Sequence, residues 1–112
     1  MTQILKDKVV LLTGASRGIG AGIALELGKQ GAILYGTATS EKGAASITQT
    51  LKSNDINGQG LVLNVNNNIS IQNAIDHINE VSEGINILVN NAGITKDTLL
   101  MRMKDDDWDD VI

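Results

Sequence analysis

The residue pattern with the clearest chemical meaning is a glycine-rich segment near the N-terminus. It reads Thr13-Gly14-Ala15-Ser16-Arg17-Gly18-Ile19-Gly20, with the spacing Gly-x3-Gly-x-Gly. It lies between an aliphatic run and a stretch of helical periodicity. The N–H groups of a helix's first turn lack helical partners and lie at the positive end of its dipole, so an anion can bind there. Glycines let the backbone approach that anion closely. The segment predicts a site for a nucleotide's pyrophosphate; the alternative is an ordinary strand-to-helix turn.

The end of the next aliphatic run bears on which dinucleotide would bind. NAD-binding domains usually place Asp or Glu about 20 residues after the glycines, where the carboxylate binds the ribose hydroxyls. Here residues 36–40 contain no carboxylate, and the first acidic side chain is Glu41. A guanidinium, that of Arg17, and the hydroxyl groups of this segment can instead bind a 2′-phosphate, which a carboxylate would repel. The sequence therefore favours NADP(H) over NAD; the alternative is that Arg17 is a solvated residue of a turn.

Strand and helix patterns alternate along the chain and would position these residues. Short apolar runs bounded by turn residues predict strands over 9–12, 32–37, 61–65 and 85–89. Apolar residues at helical spacing predict helices over about 19–31, 41–53 and 68–84. Ser40 is the expected N-cap of the second helix. This alternation predicts an α/β fold, a Rossmann-like doubly wound parallel sheet with strand order 3-2-1-4 and helices on both faces.

The last part of the chain, after Gly93, has a less regular pattern. The acidic residues 105–107 favour the start of a helix, which we predict to begin around Trp108 with Val111 and Ile112 on one face. No capping residue or polar tail follows Ile112. We expect residues 1–112 to be the N-terminal part of a single NADP-binding Rossmann domain, truncated at the start of its fourth helix. The fourth strand would then be an exposed edge.

Composition argues against several classes of function. The net charge of −4 disfavours a nucleic-acid partner, because basic residues supply most of the affinity for phosphate backbones. No apolar run approaches the roughly 20 residues that cross a bilayer, and the N-terminus lacks the layout of a signal peptide. We therefore expect a cytoplasmic protein without membrane contact. The absence of cysteine excludes disulfides, thiolate metal sites and a cysteine nucleophile.

No metal site is predicted. His77 has no second ligand at metal-binding spacing, so a histidine on a solvated helix face is the simpler interpretation. The aspartates between 105 and 110 lack the glycine and the terminal glutamate of a calcium loop. Acidic residues that complement a helix dipole explain them better.

Two motifs resemble those of the short-chain dehydrogenase/reductase family. Residues 13–20 resemble its TGxxxGxG cofactor motif, and Asn90-Asn91-Ala92-Gly93 resembles its NNAG motif after the fourth strand. Segments 36–41, 91–97 and 99–105 are similar, more narrowly, to family members that act on 3-oxoacyl-[acyl-carrier-protein].

The resemblance implies a function for the complete enzyme. It would use NADPH to reduce a 3-oxoacyl thioester, carried by acyl carrier protein, to the 3-hydroxyacyl thioester of type II fatty-acid synthesis. Members of the family are usually homotetramers. Two alternatives stay open, a reductase of another carbonyl substrate and a nucleotide-binding remnant without catalysis.

The resemblance also implies which positions contact the cofactor. They are Gly14, Ala15, Ser16, Arg17, Gly18, Ile19, Gly20, Thr39, Asn64, Val65, Asn91, Ala92 and Gly93. The glycine turn would surround the phosphates, with Ile19 near the nicotinamide, and Asn64 and Val65 would lie beside the adenine. For Asn90 and Asn91, a structural role that ties neighbouring strands together is an equal alternative.

The catalytic residues that the resemblance implies are absent from this sequence. The family uses a Ser, an Asn and a Tyr-x-x-x-Lys pair, in which the Lys lowers the pKa of the phenol so that it can give a proton to the carbonyl. The one tyrosine here is Tyr35, within the second predicted strand, and Thr39 stands four residues later. We therefore predict a core position for Tyr35 and no activity of the 112-residue chain alone.

Overall fold

The fold is an alternation of strands and helices around one parallel sheet. A computed structural model describes residues 4–16, 18–64, 67–82, 84–91 and 110–111. Its elements are β1 (Val9–Thr13), α1 (Gly18–Lys29), β2 (Ile33–Ala38), α2 (Glu41–Ser53), β3 (Gly58–Val62), α3 (Asn68–Val81), β4 (Ile87–Asn90) and β5 (Asp110–Val111). The strand order is β3-β2-β1-β4-β5, with all neighbouring pairs parallel. The predicted α/β class and the 3-2-1-4 order are confirmed.

The central strand β1 is buried on both faces of the sheet. Leu11 packs in an apolar cluster with Ile75 of α3, whereas Leu12 packs in a second cluster with Ala24 of α1 and Ile47 of α2. All five residues of β1 are buried, which explains why its sequence lacks the alternation of a half-exposed strand. Helices therefore cover both faces, as a doubly wound sheet requires.

The edge strand β3 begins earlier than the sequence predicts, at Gly58 rather than at residue 61. Its glycines account for the difference. A Cβ atom at Gly60 would overlap the backbone oxygen of Ala44 in α2. The N–H group of Gly60 also donates to Oγ1 of Thr48, at 2.8 Å. Glycine in this strand lets α2 pack directly on its backbone, so β3 extends to residues that the apolar run does not include.

Strand β5 pairs with the outer edge of β4 at two positions. Asp110 lies opposite Ile87, and Val111 lies opposite Leu88. The sequence predicts a helix for Val111 and an open edge for β4, and both predictions are wrong at these residues. A strand edge presents unpaired N–H and C=O groups, which an extended segment can satisfy and a helix cannot. The rest of the predicted helix, residues 105–109 and 112, lies outside the described residues.

The helices that follow β2 and β3 begin at capped ends. Oγ of Ser40 accepts a hydrogen bond from the N–H group of Gly43 at 3.1 Å, so the predicted N-cap of α2 is confirmed. Asn67 caps α3 through its side-chain oxygen, which accepts from Ile69 at 2.9 Å and from Ser70 at 3.2 Å. Both caps lie at the carboxyl edge of the sheet, where open α/β sheets bind ligands.

Candidate functional site

The glycine segment connects the carboxyl end of β1 to the start of α1. Gly14 has a φ of 69° and Gly18 a φ of 60°, in the left-handed region that favours glycine. Between them, Ala15 is buried and Ser16 is half-buried. The predicted strand–turn–helix arrangement is therefore present, and the first turn of α1 lies at the carboxyl edge of the sheet.

Gly20 holds the start of α1 against the end of β1. A Cβ atom at Gly20 would overlap the carbonyl oxygen of Gly14 and lie 2.8 Å from Nδ2 of Asn91. That amide nitrogen donates to the same oxygen of Gly14 at 3.1 Å. The helix, the turn and the residue after β4 thus meet at one carbonyl group, in a space that no side chain at position 20 can share.

Thr37, in β2, holds the turn from the other side. Its Oγ1 accepts from the N–H group of Gly14 at 3.1 Å, and its carbonyl oxygen accepts from the N–H group of Ala15 at 2.8 Å. The residue is 1% exposed. Sequence reasoning missed Thr37 because its partners lie far away along the chain. The available signal was a polar residue at the end of an apolar strand.

These contacts define which backbone donors remain for a phosphate. The N–H groups of Gly14 and Ala15 are already bonded to Thr37, so these two residues shape the turn. Donors that have no partner within the helix begin later, in the first turn of α1 at Gly18 and Ile19. A Cβ atom at Gly18 would meet nothing within 4 Å, so the space beside this turn is open to a ligand.

A cleft of about 280 Å³ lies beside the turn, at the carboxyl end of β2. Its lining residues are Ser16, Ala38, Thr39, Ser40, Lys42, Gly43 and Ser46. The structure therefore brings together Thr39 and Ser16, which the sequence analysis assigned to the cofactor. It also adds Lys42, which the sequence analysis missed. The signal for Lys42 was its place in the first helical turn after β2.

Ile19 has the most exposed large apolar side chain among the described residues, at 78%. It belongs to the first turn of α1, next to the open space at Gly18. An aliphatic side chain at this position offers apolar surface to a ring that extends beyond the phosphates. The exposure is compatible with the predicted place of Ile19 near the nicotinamide.

Asn90, the last residue of β4, and Asn91, which follows it, connect that strand to β1 and the glycine turn. Oγ1 of Thr13 donates to Oδ1 of Asn90 at 3.1 Å, and Asn91 donates to Gly14 as described above. These bonds support the structural role that the sequence left as one of two alternatives. Asn64, another predicted contact, is exposed beyond β3, and its N–H group donates to Oγ of Ser70 at 2.9 Å.

Four of the predicted cofactor contacts lie outside the described residues. They are Arg17, Val65, Ala92 and Gly93. Their roles stay predictions from the sequence. The other nine are described, and all of them lie at the carboxyl edge of the sheet or in the first turn of α1.

The histidine of α3 packs against the sheet. Nε2 of His77 lies 2.9 Å from Nε2 of Gln59, and the residue is half-buried. His77 thus links α3 to the edge strand β3, and the expectation that it only faces solvent is wrong. Within the described ranges, no group of three His, Asp or Glu residues could hold a metal ion.

Tyr35 lies in the core, as predicted, and its hydroxyl is bound at the other end of the sheet. It is 6% exposed, and its hydroxyl oxygen lies 2.9 Å from Oγ of Ser82. Ser82 lines a cavity of about 340 Å³ with Asp7, Val9 and Asn86, at the amino ends of the strands. None of the described cofactor candidates lines this cavity.

The sequence that forms the glycine turn and this sheet is matched by the model of a known family. The model of the short chain dehydrogenase family matches residues 8–112. The chain belongs to the short-chain dehydrogenase family. The matched residues include all eight described elements.

Curated short-chain dehydrogenases match nearly the whole chain. It is 56% identical over 108 residues to the 3-oxoacyl-[acyl-carrier-protein] reductase FabG of Pseudomonas aeruginosa and to that of Vibrio harveyi. It is 52% identical over 107 residues to the FabG of Escherichia coli. Each match covers 96% of this chain but 43–44% of the relative. The chain therefore spans less than half the length of these relatives.

In the part of the chain that the structure describes, no helix is both long enough and apolar enough to span a membrane.

Proposed function

We propose that the complete protein reduces 3-oxoacyl-[acyl-carrier-protein] to 3-hydroxyacyl-[acyl-carrier-protein] with NADPH, in type II fatty-acid synthesis. We also propose that residues 1–112 form the N-terminal part of its single NADP-binding domain. The observation that carries the proposal is the glycine turn, in which Gly20 brings the start of α1 against Gly14. Relatives that bear this enzyme's name and share 51–56% of the residues support the substrate. The complete protein would act as a homotetramer in the cytoplasm.

The described residues fit a dinucleotide along the carboxyl edge of the sheet. Its pyrophosphate would bind the N–H groups at the start of α1, over the open space at Gly18. The adenosine would extend toward β2 and β3, with Thr39 near its ribose and Asn64 near its base. The nicotinamide would lie toward Ile19 and supply the hydride when the cofactor is bound.

Proton transfer to the carbonyl belongs, in this proposal, to the rest of the complete protein. Tyr35 cannot serve, because its side chain is buried and its hydroxyl contacts Ser82 at the amino end of the sheet. A general acid must come within hydrogen-bonding reach of the atom to which it gives a proton. The 112-residue chain alone would therefore hold the nucleotide without reducing a substrate.

The test is an assay of the complete protein with NADPH and a 3-oxoacyl thioester of acyl carrier protein. We expect consumption of NADPH and formation of the 3-hydroxyacyl thioester, detected by absorbance and by mass spectrometry. NADH in place of NADPH should support a slower reaction. Reduction of other ketones but not of the thioester would show that the proposed substrate is wrong. Binding of NADPH without reduction of any substrate would show that the proposed enzymatic activity is wrong.

A second assay addresses the chain by itself. The 112-residue chain, mixed with the same thioester and NADPH, should show no turnover above the rate without protein. Turnover would mean that catalytic groups lie within these residues, and the assignment of proton transfer to the rest of the protein would be wrong.

A further inference from the structure

We infer that Lys42 binds the 2′-phosphate of NADPH and contributes to the selection of NADPH over NADH. The inference rests on the proposed function and adds a residue that the motifs of the sequence do not single out. It places the positive charge of a side chain from the first turn of α2 in the cleft beside β2, in addition to the predicted role of Arg17.

The geometry of the cleft favours a phosphate ester. Lys42 lines it together with four hydroxyl-bearing residues, Ser16, Thr39, Ser40 and Ser46. Oγ of Ser40 already accepts a bond from Gly43, but a hydroxyl can still donate to a phosphate oxygen. A cation with several hydroxyl donors is the set of groups that a phosphate dianion requires.

The walls of the cleft keep it open between these polar groups. Ala38 and Gly43 form part of the lining, and both carry little or no side chain. A Cβ atom at Gly43 would lie 2.7 Å from Cβ of Ala38 and 3.7 Å from Cβ of Ser16. Larger residues at these positions would fill the space where a phosphate can enter, so the small size of Ala38 and Gly43 keeps the cleft accessible to a phosphate.

The charge of Lys42 is available to a ligand. It is exposed, and it forms no ion pair with any other residue in the described parts of the chain. Glu41, its neighbour, is also exposed but does not line the cleft. A carboxylate in the cleft would favour the free ribose hydroxyls of NADH, whereas an unpaired ammonium favours the extra phosphate of NADPH.

Position on the helix separates Lys42 from other lysines. Lys52 lies on the same helix, in its last turn, and is also exposed, but it does not line the cleft. A lysine that only solubilises the surface would behave like Lys52. The two positions therefore form a matched pair for an experiment.

The experiment measures the binding of four nucleotides to the complete protein by calorimetry, for wild type, Lys42→Ala, Lys42→Arg and Lys52→Ala. The nucleotides are NADPH, NADH, adenosine 2′,5′-bisphosphate and adenosine 5′-monophosphate. For Lys42→Ala we expect the affinities for NADPH and the bisphosphate to fall by about fivefold, the effect of one solvent-accessible ion pair with hydrogen bonding. Affinities for NADH and the monophosphate should stay within about twofold, since these ligands lack the phosphate that pairs with Lys42.

The two other variants make the result specific. Lys42→Arg should retain the preference for NADPH, and Lys52→Ala should bind all four nucleotides as the wild type does. The preference of the wild type should also weaken with added salt more steeply than that of Lys42→Ala. Circular dichroism of each variant checks that the fold is intact.

The outcomes separate this inference from the proposed function. If the wild type prefers NADPH and Lys42→Ala keeps the full preference, the role of Lys42 is wrong and the proposed cofactor stands. An equal loss of affinity for NADPH and NADH in Lys42→Ala would also overturn the inference, because the lysine would then contribute to binding of both nucleotides rather than of the 2′-phosphate. If the wild type binds NADPH and NADH equally, both the choice of cofactor and the role of Lys42 fail.

Discussion

Two contacts at opposite ends of the sheet differ in kind. At the carboxyl end, Gly20 and Gly14 approach so closely that a Cβ atom at position 20 would overlap a backbone oxygen. At the amino end, two of the connections are made by side chains. The hydroxyl of Tyr35 contacts Ser82, and Oδ1 of Asn86 accepts from a backbone N–H group of β1 at 2.8 Å.

The difference shows where the fold can tolerate change. A contact between two backbones cannot be relaxed by rotating a side chain, so any added atom must move a strand or a helix. A hydrogen bond between side chains near a water-accessible cavity can be replaced by a bond to water at modest cost. The backbone contact at Gly20 should therefore be far more sensitive to small substitutions than the side-chain contacts of Tyr35 and Ser82 at the opposite end.

The largest effect is expected for Gly20→Ala. The added methyl group would overlap the carbonyl oxygen of Gly14 and approach Nδ2 of Asn91. We expect the free energy of unfolding to fall by about 3 kcal/mol, because the backbone of α1 or of the glycine turn must shift to make room for the methyl group. The shift would also displace the start of α1, so NADPH binding should be lost at concentrations that saturate the wild type. Urea unfolding and calorimetry measure the two effects.

Gly22→Ala is the matched control on the same helix. A Cβ atom at Gly22 would meet nothing within 4 Å. Alanine in a helix is favoured over glycine by about 0.5–1 kcal/mol, so this variant should be slightly more stable than wild type and should bind NADPH normally. If Gly20→Ala and Gly22→Ala lost similar amounts of stability and NADPH affinity, the close approach at Gly20 would not be the cause of these losses.

A smaller effect at the same end is expected for Thr37→Val. The change removes the buried hydroxyl that accepts from the N–H group of Gly14, and it leaves that half-buried group without this partner. An unsatisfied buried donor costs about 1–3 kcal/mol. Thr37→Ser keeps the hydroxyl and should retain more of the stability and of the NADPH affinity. Equal behaviour of the valine and serine variants in urea unfolding would contradict the role of this bond.

The carboxyl end was also the more predictable from sequence. Its glycines and the polar residues after each strand are local signals, and they predicted the turn, the cap at Ser40 and the gathering of candidates at one edge. Thr37 was not predicted, because its hydrogen bond to Gly14 joins residues 23 positions apart and no local sequence pattern indicates it. Lys42 escaped because a single lysine at a helix start has no distinguishing spacing.

The errors in the fold have the same origin in long-range packing. Gly58 and Gly60 resemble turn residues along the chain, but they lie in β3 because the backbones of β2 and α2 come close to them. Val111 has helical periodicity, but pairing with β4 gives it an extended conformation. In both places a partner distant in sequence decides a conformation that local preference would assign differently.

The smallest effect is expected at the amino end, for Tyr35→Phe. The ring stays in the core and only the hydroxyl bond to Ser82 is lost, so stability should fall by about 1 kcal/mol. Ser82 is half-buried beside the cavity, where water can replace the phenol as its partner. NADPH affinity should not change, because the bond lies at the opposite end of the strands from the glycine turn.

Ser82→Ala and the double variant show whether the loss belongs to that bond. If it does, the double variant should be about as stable as either single variant, since each change removes the same interaction. Additive losses would mean that the two hydroxyls act separately. If Tyr35→Phe lowered the affinity for NADPH, the two ends of the sheet would not be independent. A change at the amino end would then alter the first turn of α1.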